Sequence, residues 1–355
     1  MLATATPSLL ASRQRSDTIE AAIERDPRSF RILTGDRPTG ALHLGHYFGT
    51  LQNRVRLQDA GVELLVLIAD YQAITDRDAS ADLPRDVLGL VADYLAVGID
   101  PARATIFAHS QVEALNQLLL PFLSLVSVAE IGRNPTVKDE VAAAGTAAVT
   151  GLMFSYPVHQ AADILFCHAN LVPVGKDQLP HLELARTIAR RFNERYSPAV
   201  PYFPEPEALL SAAPLLLGLD GTKMSKTRNN SVPLRATADQ TAKLIAGART
   251  DSERVISYEP DRRPEVGSLL LLAALCRDES PHAVAGRIGA GGAAALKSAV
   301  TEAVNDRFAT VRARRAELQT DQGYLRDVLA AGTRRARSVA GETLDAVRRL
   351  MHCSY

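Results

Sequence analysis

The chain contains no tryptophan, and aromatic residues make up only 5% of it. Any indole fluorescence in a mixture with a ligand would therefore belong to the ligand. Cysteine is scarce as well: Cys167, Cys276 and Cys353 are odd in number, far apart and without a CxxC pair. Such a set fits neither a disulfide framework nor a thiolate zinc site, and it leads us to expect a reducing, cytoplasmic setting. Net charge is also missing, because 40 basic residues balance 40 acidic ones. A polyanion would have to be met by a local basic surface rather than by the whole molecule. No apolar run approaches the roughly 20 residues needed to span a bilayer, and no signal-peptide h-region is visible, so no membrane role is expected. Internal repeats and low-complexity tails are absent.

What is present is an ordinary globular composition, with 46% hydrophobic and 23% charged residues over 355 positions. That length fits two domains, or one large domain with a helical appendage. From Phe30 onward strand-like and helix-like stretches alternate. Arg31–Thr34 is a short strand broken by Gly35, Pro38 and Gly40, and a helix opens near Gly45. Further strands are expected at Leu64–Ala69, Thr105–Ala108 and Leu171–Val174. Helices are expected over Arg85–Val97, around Val112–Val126, from near Tyr156, and from Gln178 to Arg195. This alternation predicts right-handed crossovers and an α/β fold with a parallel sheet that binds ligands at its carboxyl ends. Beyond Thr227 only helical segments are legible, at Ala236–Ala248, Ser268–Arg277, Ala294–Arg315 and Asp321–Met351. The division expected is an extension at 1–29, an α/β domain at 30–230 with an insertion, and a helical domain at 231–355 whose last helices pack back on the first. Residues 1–15 carry Ser, Thr and Arg but no acid, a composition shared by organellar transit peptides and frayed bacterial termini. Arg312, Arg314, Arg315, Arg334, Arg335, Arg337, Arg348 and Arg349 form either a basic face for a phosphate backbone or a solvated helix surface.

Two stretches carry chemistry. The first, Thr34-Gly-Asp-Arg-Pro-Thr-Gly-Ala-Leu-His-Leu-Gly-His-Tyr-Phe-Gly49, lies where a strand turns into a helix. Glycines let the backbone approach a phosphate, and a helix N-terminus offers N–H groups and a positive dipole end. His43 and His46 share a face once helical, with Gly45 leaving a flat spot between them for a nucleotide sugar or base. A bare His-x-x-His pair reads as a metal site or as surface histidine. The second stretch, Gly221-Thr-Lys-Met-Ser-Lys-Thr227, is a flexible loop with two lysines able to close over a triphosphate as pyrophosphate departs.

Together these resemble the class I aminoacyl-tRNA synthetases: His43-Leu-Gly-His46 matches HIGH, and Lys223-Met-Ser-Lys-Thr227 matches KMSKS with Thr for the final Ser. Asp70-Tyr-Gln-Ala-Ile-Thr75, Tyr94-Leu-Ala-Val-Gly-Ile-Asp-Pro101, Tyr156-Pro-Val-His-Gln-Ala-Ala-Asp-Ile-Leu165 and Val172-Pro-Val-Gly-Lys-Asp-Gln178 are similar to bacterial tryptophanyl-tRNA synthetases from about Phe30 to near the C-terminus. The resemblance implies a Rossmann-like doubly wound sheet, ATP and Mg²⁺ as cofactors, L-tryptophan and tRNA(Trp) as substrates, and a homodimer. It implies catalytic roles for His43, His46, Lys223 and Lys226. ATP contacts are implied for Arg37, Thr39, Gly45, Lys138, Gly175, Asp177, Met224 and Ser225. Tryptophan contacts are implied for Gln72, Tyr156, Gln160, Asp163, Val172, Val174 and Gln178, with Asp163 accepting the indole N–H, and no protein metal site is implied.

Three departures qualify the match. Gln72 stands in place of a common His, Gln160 in place of a common Met, and Arg37 in place of a Gln. Tyr-x3-Gln-x2-Asp is also the pocket pattern of the tyrosine enzymes, so tyrosine is the competing substrate, although the apolar Val172-Pro-Val-Gly run favours tryptophan. Without the flanking motifs, Val172 and Val174 would read as core packing. Two other classes compete. Small HIGH-bearing nucleotidyltransferases lack the KMSK loop and the long helical part, and a synthetase-like paralogue with a partner role would keep the fold without tRNA charging.

Overall fold

The computed structural model describes residues 7–74, 82–144, 149–175, 178–210, 216–224 and 228–355, apart from the side chains of 7–13, 139–141 and 143–144. Helix α1 (Pro7–Arg25) precedes strand β1 (Arg31–Asp36). Next come α2 (Leu44–His46), a π turn over Tyr47–Leu51, α3 (Gln52–Ala60), β2 (Glu63–Ile68) and α4 (Asp70–Ala73). Then follow α5 (Leu83–Val97), β3 (Ala104–Ala108), the short helices α6 (Glu113–Gln117), α7 (Leu119–Leu123) and α8 (Val128–Arg133), and α9 (Pro135–Ala144). Helix α10 (Gly151–Leu165) leads to β4 (Leu171–Val174), α11 (Leu179–Tyr196) and β5 (Glu207–Leu210). The rest is helical: α12 (Ala238–Ala246), α13 (Pro264–Arg277), α14 (Pro281–Ile288), α15 (Gly292–Thr320) and α16 (Gln322–Leu350).

The five strands form one parallel sheet in the order β3-β2-β1-β4-β5. Strand order reverses between β1 and β4, which places a ligand crevice at their carboxyl ends. Because successive strand residues face opposite sides, each strand feeds two cores. Ile32, Leu64, Val66, Ile68, Ile106 and Leu171 pack with α3 and α5 on one face. Leu33, Leu65, Leu67, Phe107, Val172 and Val174 pack with α10 and α11 on the other. A strand buried on both faces reads as a continuous apolar run, which is why β1 to β4 are legible in the sequence.

Strand β5 was not expected, and neither was its cover. Ser16 Oγ of α1 accepts the Leu210 backbone N–H at 3.0 Å, and Ile19 and Ile23 are buried. The other sheet edge is covered by α16, which runs along β3 so closely that a Cβ on Gly332 would lie 1.9 Å from the Ile106 carbonyl oxygen. Both edges of the sheet are thus shielded, as a parallel sheet with exposed ladder groups requires. The single helix expected over Val112–Val126 is broken into α6 and α7, where Leu118 caps the first and Pro121 enters the second.

Six of the eight C-terminal arginines, Arg314, Arg334, Arg335, Arg337, Arg348 and Arg349, are exposed, as a solvated helix surface would be, and several of the eight also act as ties. Arg315 is buried against Asp93, and Arg335 donates to the carbonyls of Pro101 and Ala104, both at 2.8 Å. Arg337 pairs with Glu113 at 2.8 Å, Arg348 donates to Gln117 at 2.7 Å, and Arg312 donates to Asn305 and Thr241.

Candidate active site

The HIGH segment sits beyond β1, where the crevice opens. At the end of β1, Asp36 Oδ2 accepts from Arg54 Nη1 at 2.6 Å and from the Tyr94 hydroxyl at 2.8 Å. Burial alone would raise the Asp36 pKa, but the Arg54 guanidinium, His46 and the Tyr94 hydroxyl together hold it down at about 2. His43 caps α2, and its backbone N–H donates to His46 Nδ1 at 3.2 Å. A neutral His46 therefore carries its proton on Nε2. The two rings lie 3.7 Å apart, tilted by 46°.

The second stretch is folded onto the first. Leu44 N–H donates to Val232 O at 3.0 Å, and Leu234 N–H donates to Leu42 O at 2.8 Å. At Gly45 a Cβ would come within 2.9 Å of Met224 Sδ and 3.0 Å of the His43 ring. The base of the loop is a fixed turn: Asp220 Oδ1 accepts from Thr222 N–H at 2.9 Å and from Asn230 Nδ2 at 2.8 Å, and Asn230 also reaches the Lys223 carbonyl at 3.1 Å. Lys223 is exposed on this base. Ser225 and Lys226 lie outside the described residues, as does Asp177.

The remaining expected ATP contacts are more dispersed. Thr39 N–H donates to Arg37 O at 2.8 Å within the turn after β1, and Gly175 O accepts the Gln178 N–H at 3.1 Å after β4. Lys138 is exposed on α9, and its side chain makes no ion pair among the described residues.

The expected amino-acid pocket lies on the α10 side of the sheet. Val172 and Val174 face that layer, as does Asp163, which is 1% exposed. Tyr156 and Gln160 sit one turn apart on α10, with the Tyr156 hydroxyl 3.4 Å from His181 Nε2. Gln72 sits on α4 at the end of β2, and Gln178 caps α11.

Sequence reasoning missed the polar residues beneath this pocket: Asp70, His109, Asn116 and His159, of which Asp70, His109 and His159 are buried. His109 Nδ1 lies 3.2 Å from Asp163 Oδ1, and the His109 and His159 rings are 4.8 Å apart. Burial works to lower the His109 pKa, but Asp163, by charge and hydrogen bond, and Asp70 raise it overall. Burial lowers the His159 pKa. His109, His159 and Asp163 each offer an atom within 4.8 Å of the others, a spacing that could hold a metal. However, the Tyr71 N–H donates to His109 Nε2 at 2.9 Å, which puts the proton of the neutral ring on Nδ1, where a metal would have to displace it. His159 was visible inside the Tyr156–Asp163 motif, one helical turn before Asp163, whereas His109 becomes visible only once β3 is placed beside β2.

The HIGH segment and Met224, at the base of the lysine loop, thus lie side by side. The family described as tRNA synthetases class I (W and Y) matches residues 25–309. The chain belongs to this family. Among relatives of this family, a tryptophan–tRNA ligase of Streptococcus agalactiae serotype V is 40% identical over 336 residues, covering 91% of this chain and 98% of the relative. Another from Lactococcus lactis is 39% identical over 337 residues, with the same coverage of 91% and 98%. The crystal structure of the Campylobacter jejuni tryptophanyl-tRNA synthetase complexed with ADP and tryptophan superposes with a TM-score of 0.79 at 29% identity, over 91% of this chain and 100% of that one.

Proposed function

We infer that this chain activates L-tryptophan with ATP to tryptophanyl-adenylate and pyrophosphate, then transfers tryptophan to tRNA(Trp). The observation that supports the reading is the closeness of Met224 to Gly45, which sets the base of the lysine loop beside the HIGH histidines. Relatives named as tryptophan–tRNA ligases along nearly their whole length support the choice of amino acid over tyrosine.

The reacting nucleophile is the substrate carboxylate, which attacks the α-phosphorus of ATP in line, so the protein works by position and charge. In this proposal His43 and His46 donate to phosphate and ribose oxygens as charge moves onto the leaving group, and the tautomer of His46 leaves Nε2–H for that purpose. Lys223, Lys226 and Lys138 take the departing pyrophosphate. Mg²⁺ arrives with the nucleotide as its counter-ion. Arg37, Thr39, Gly175, Asp177 and Ser225 line the nucleotide, while Gln72, Tyr156, Gln160, Val172, Val174 and Gln178 surround the amino acid. Asp163 accepts the indole N–H, a charge-assisted bond that phenylalanine could not return.

We keep the division into an extension at 1–29, a catalytic unit at 30–230 and a helical tRNA-binding unit at 231–355 as part of this reading, with a cytoplasmic location. The homodimer implied by the family resemblance stays part of this reading, with Leu120 and Val128, 75% and 73% exposed, as candidate contact residues. The test is pyrophosphate exchange and tRNA(Trp) charging by purified protein. Exchange is expected with tryptophan and not with tyrosine, and the reverse preference would overturn the assignment. Since the chain holds no tryptophan, indole fluorescence reports ligand binding directly.

A further inference from the structure

Beneath the amino-acid pocket, hydrogen bonds fix the tautomers of two buried histidines in turn. Asn116 commits its amide N–H groups to the carbonyls of His109 and Val112, at 2.7 and 3.0 Å. Its oxygen therefore faces His159 Nε2 at 2.8 Å, so His159 carries its proton on Nε2 and presents a bare Nδ1, which has no partner among the described residues. The Tyr71 backbone N–H donates to His109 Nε2 at 2.9 Å, which leaves the His109 proton on Nδ1, directed at Asp163 Oδ1 at 3.2 Å. Asp70 in turn is held by Ser110, through both its backbone N–H and its hydroxyl. At the end of this chain Asp163 Oδ2 is buried and has no partner among the described residues. A buried carboxylate oxygen left unpaired is costly, so it marks the place of a ligand donor.

We propose that His109 is a positioning residue for amino-acid recognition: by gripping Oδ1 of Asp163 it turns Oδ2 toward the substrate ring N–H. This rests on the reading of Asp163 as the indole acceptor. The backbone of Tyr71 sets the tautomer of His109, and α4, which carries Tyr71, also carries Gln72. One hydrogen-bonded chain thus joins the end of β2 to the discriminating carboxylate on α10.

The groups facing His109 are Asp163 at Nδ1, Asp70 with Oδ1 3.5 Å from Nε2, the His159 ring at 4.8 Å and the Tyr71 ring at 5.5 Å. The Nδ1–H bond to Asp163 persists in both protonation states. In the charged state Nε2–H turns to Asp70, and the imidazolium neutralises Asp163, making Oδ2 a weaker acceptor. Tryptophan therefore binds more tightly as pH rises through the His109 titration, which burial works to lower and which Asp163 and Asp70 together raise.

The experiment compares KM for tryptophan and kcat in pyrophosphate exchange for wild type, H109N, H109L and D163N, from about pH 6 to about pH 9. An asparagine N–H can stand where Nδ1–H stands, but it does not titrate. H109L is expected to raise KM about 10- to 100-fold while changing kcat much less. H109N is expected to recover most of that loss and to flatten the pH dependence of KM. An unchanged KM in H109L, or a wild-type pH slope in H109N, overturns the proposal. If H109L does not fold, the H109N profile decides alone. A harmless D163N would sink the reading of Asp163 itself, and wild type failing to use tryptophan would sink the function, so the three failures are separable.

Discussion

Arg315 of α15 and Asp93 of α5 form an ion pair in which the two side chains are only 8% and 2% exposed, tying the helical part to the catalytic sheet. Asp93 also accepts the Leu42 backbone N–H, so the same carboxylate braces the HIGH turn. Burial raises the Asp93 pKa and Arg315 only partly offsets this. Removing the cation strands a buried charge. Arg315→Met is expected to cost about 3–5 kcal/mol in urea unfolding. Because a raised carboxyl pKa gives stability that is present at low pH and lost as pH rises, the deficit should shrink on acidification. A deficit equal at pH 5 and pH 8 would show that lost packing, not lost charge, is responsible.

Gly45 offers a cleaner separation of stability from activity. Alanine is a better helix former than glycine by about 1 kcal/mol, so Gly45→Ala should melt no lower than wild type. Its methyl group would nonetheless meet the Met224 sulfur at 2.9 Å and the His43 ring at 3.0 Å. Displacement on that scale is expected to slow pyrophosphate exchange about 10- to 100-fold. Adding Met224→Ala should restore the rate if loop closure is the obstacle, and should fail to do so if the His43 ring has been pushed aside.

How much of this was readable in advance depended on whether the information was local. Strands β1 to β4 are apolar on both faces and end at glycine or polar turns, so they stand out. Strand β5, Glu207-Ala-Leu-Leu210, has a helix-like composition and becomes a strand only by pairing with β4 under the cover of α1. The HIGH and KMSKS segments were legible because backbone approach and phosphate charge require those residues in that local order. Asp36, His109 and Asn230 were not, since each acts on a partner brought near by the fold: Arg54, Asp163 and the Lys223 carbonyl. Helical spacing likewise says which face the C-terminal arginines share, but not that Arg315 meets Asp93.

Helix α1 should contribute measurably to stability. Ile23 is 1% exposed and Ile19 is 6% exposed, while Arg15 pairs with Glu207 of β5 at 2.6 Å. Ile23→Ala is expected to cost about 2–5 kcal/mol through lost burial and the cavity left behind. Arg15→Ala, at an exposed pair screened by water, should shift the urea midpoint far less. Equal effects of the two changes on the urea midpoint would contradict the view that α1 is held by apolar packing.

The Asp36–Arg54–Tyr94 cluster predicts the acid behaviour of the HIGH turn. The folded pKa of Asp36, about 2, lies below the ordinary 3.8, so its contribution is complete above pH 3.8 and is lost as pH falls toward 2. By linkage that contribution is about 2 kcal/mol. Arg54, 2% exposed with its ring-stacked guanidinium 5.8 Å from the Tyr94 centroid, is the stronger partner. Arg54→Met leaves Asp36 buried without its cation and should cost about 3–5 kcal/mol near neutral pH. Tyr94→Phe removes one neutral donor and should cost about 1 kcal/mol. In the arginine variant burial would prevail and lift the Asp36 pKa, so protonation would relieve the penalty. Its stability should therefore approach that of wild type as pH is lowered toward about 4, whereas the tyrosine variant should keep a nearly constant deficit over the same range. Parallel stability curves for the arginine variant and wild type would mean that charge balance at Asp36 is not what holds the turn.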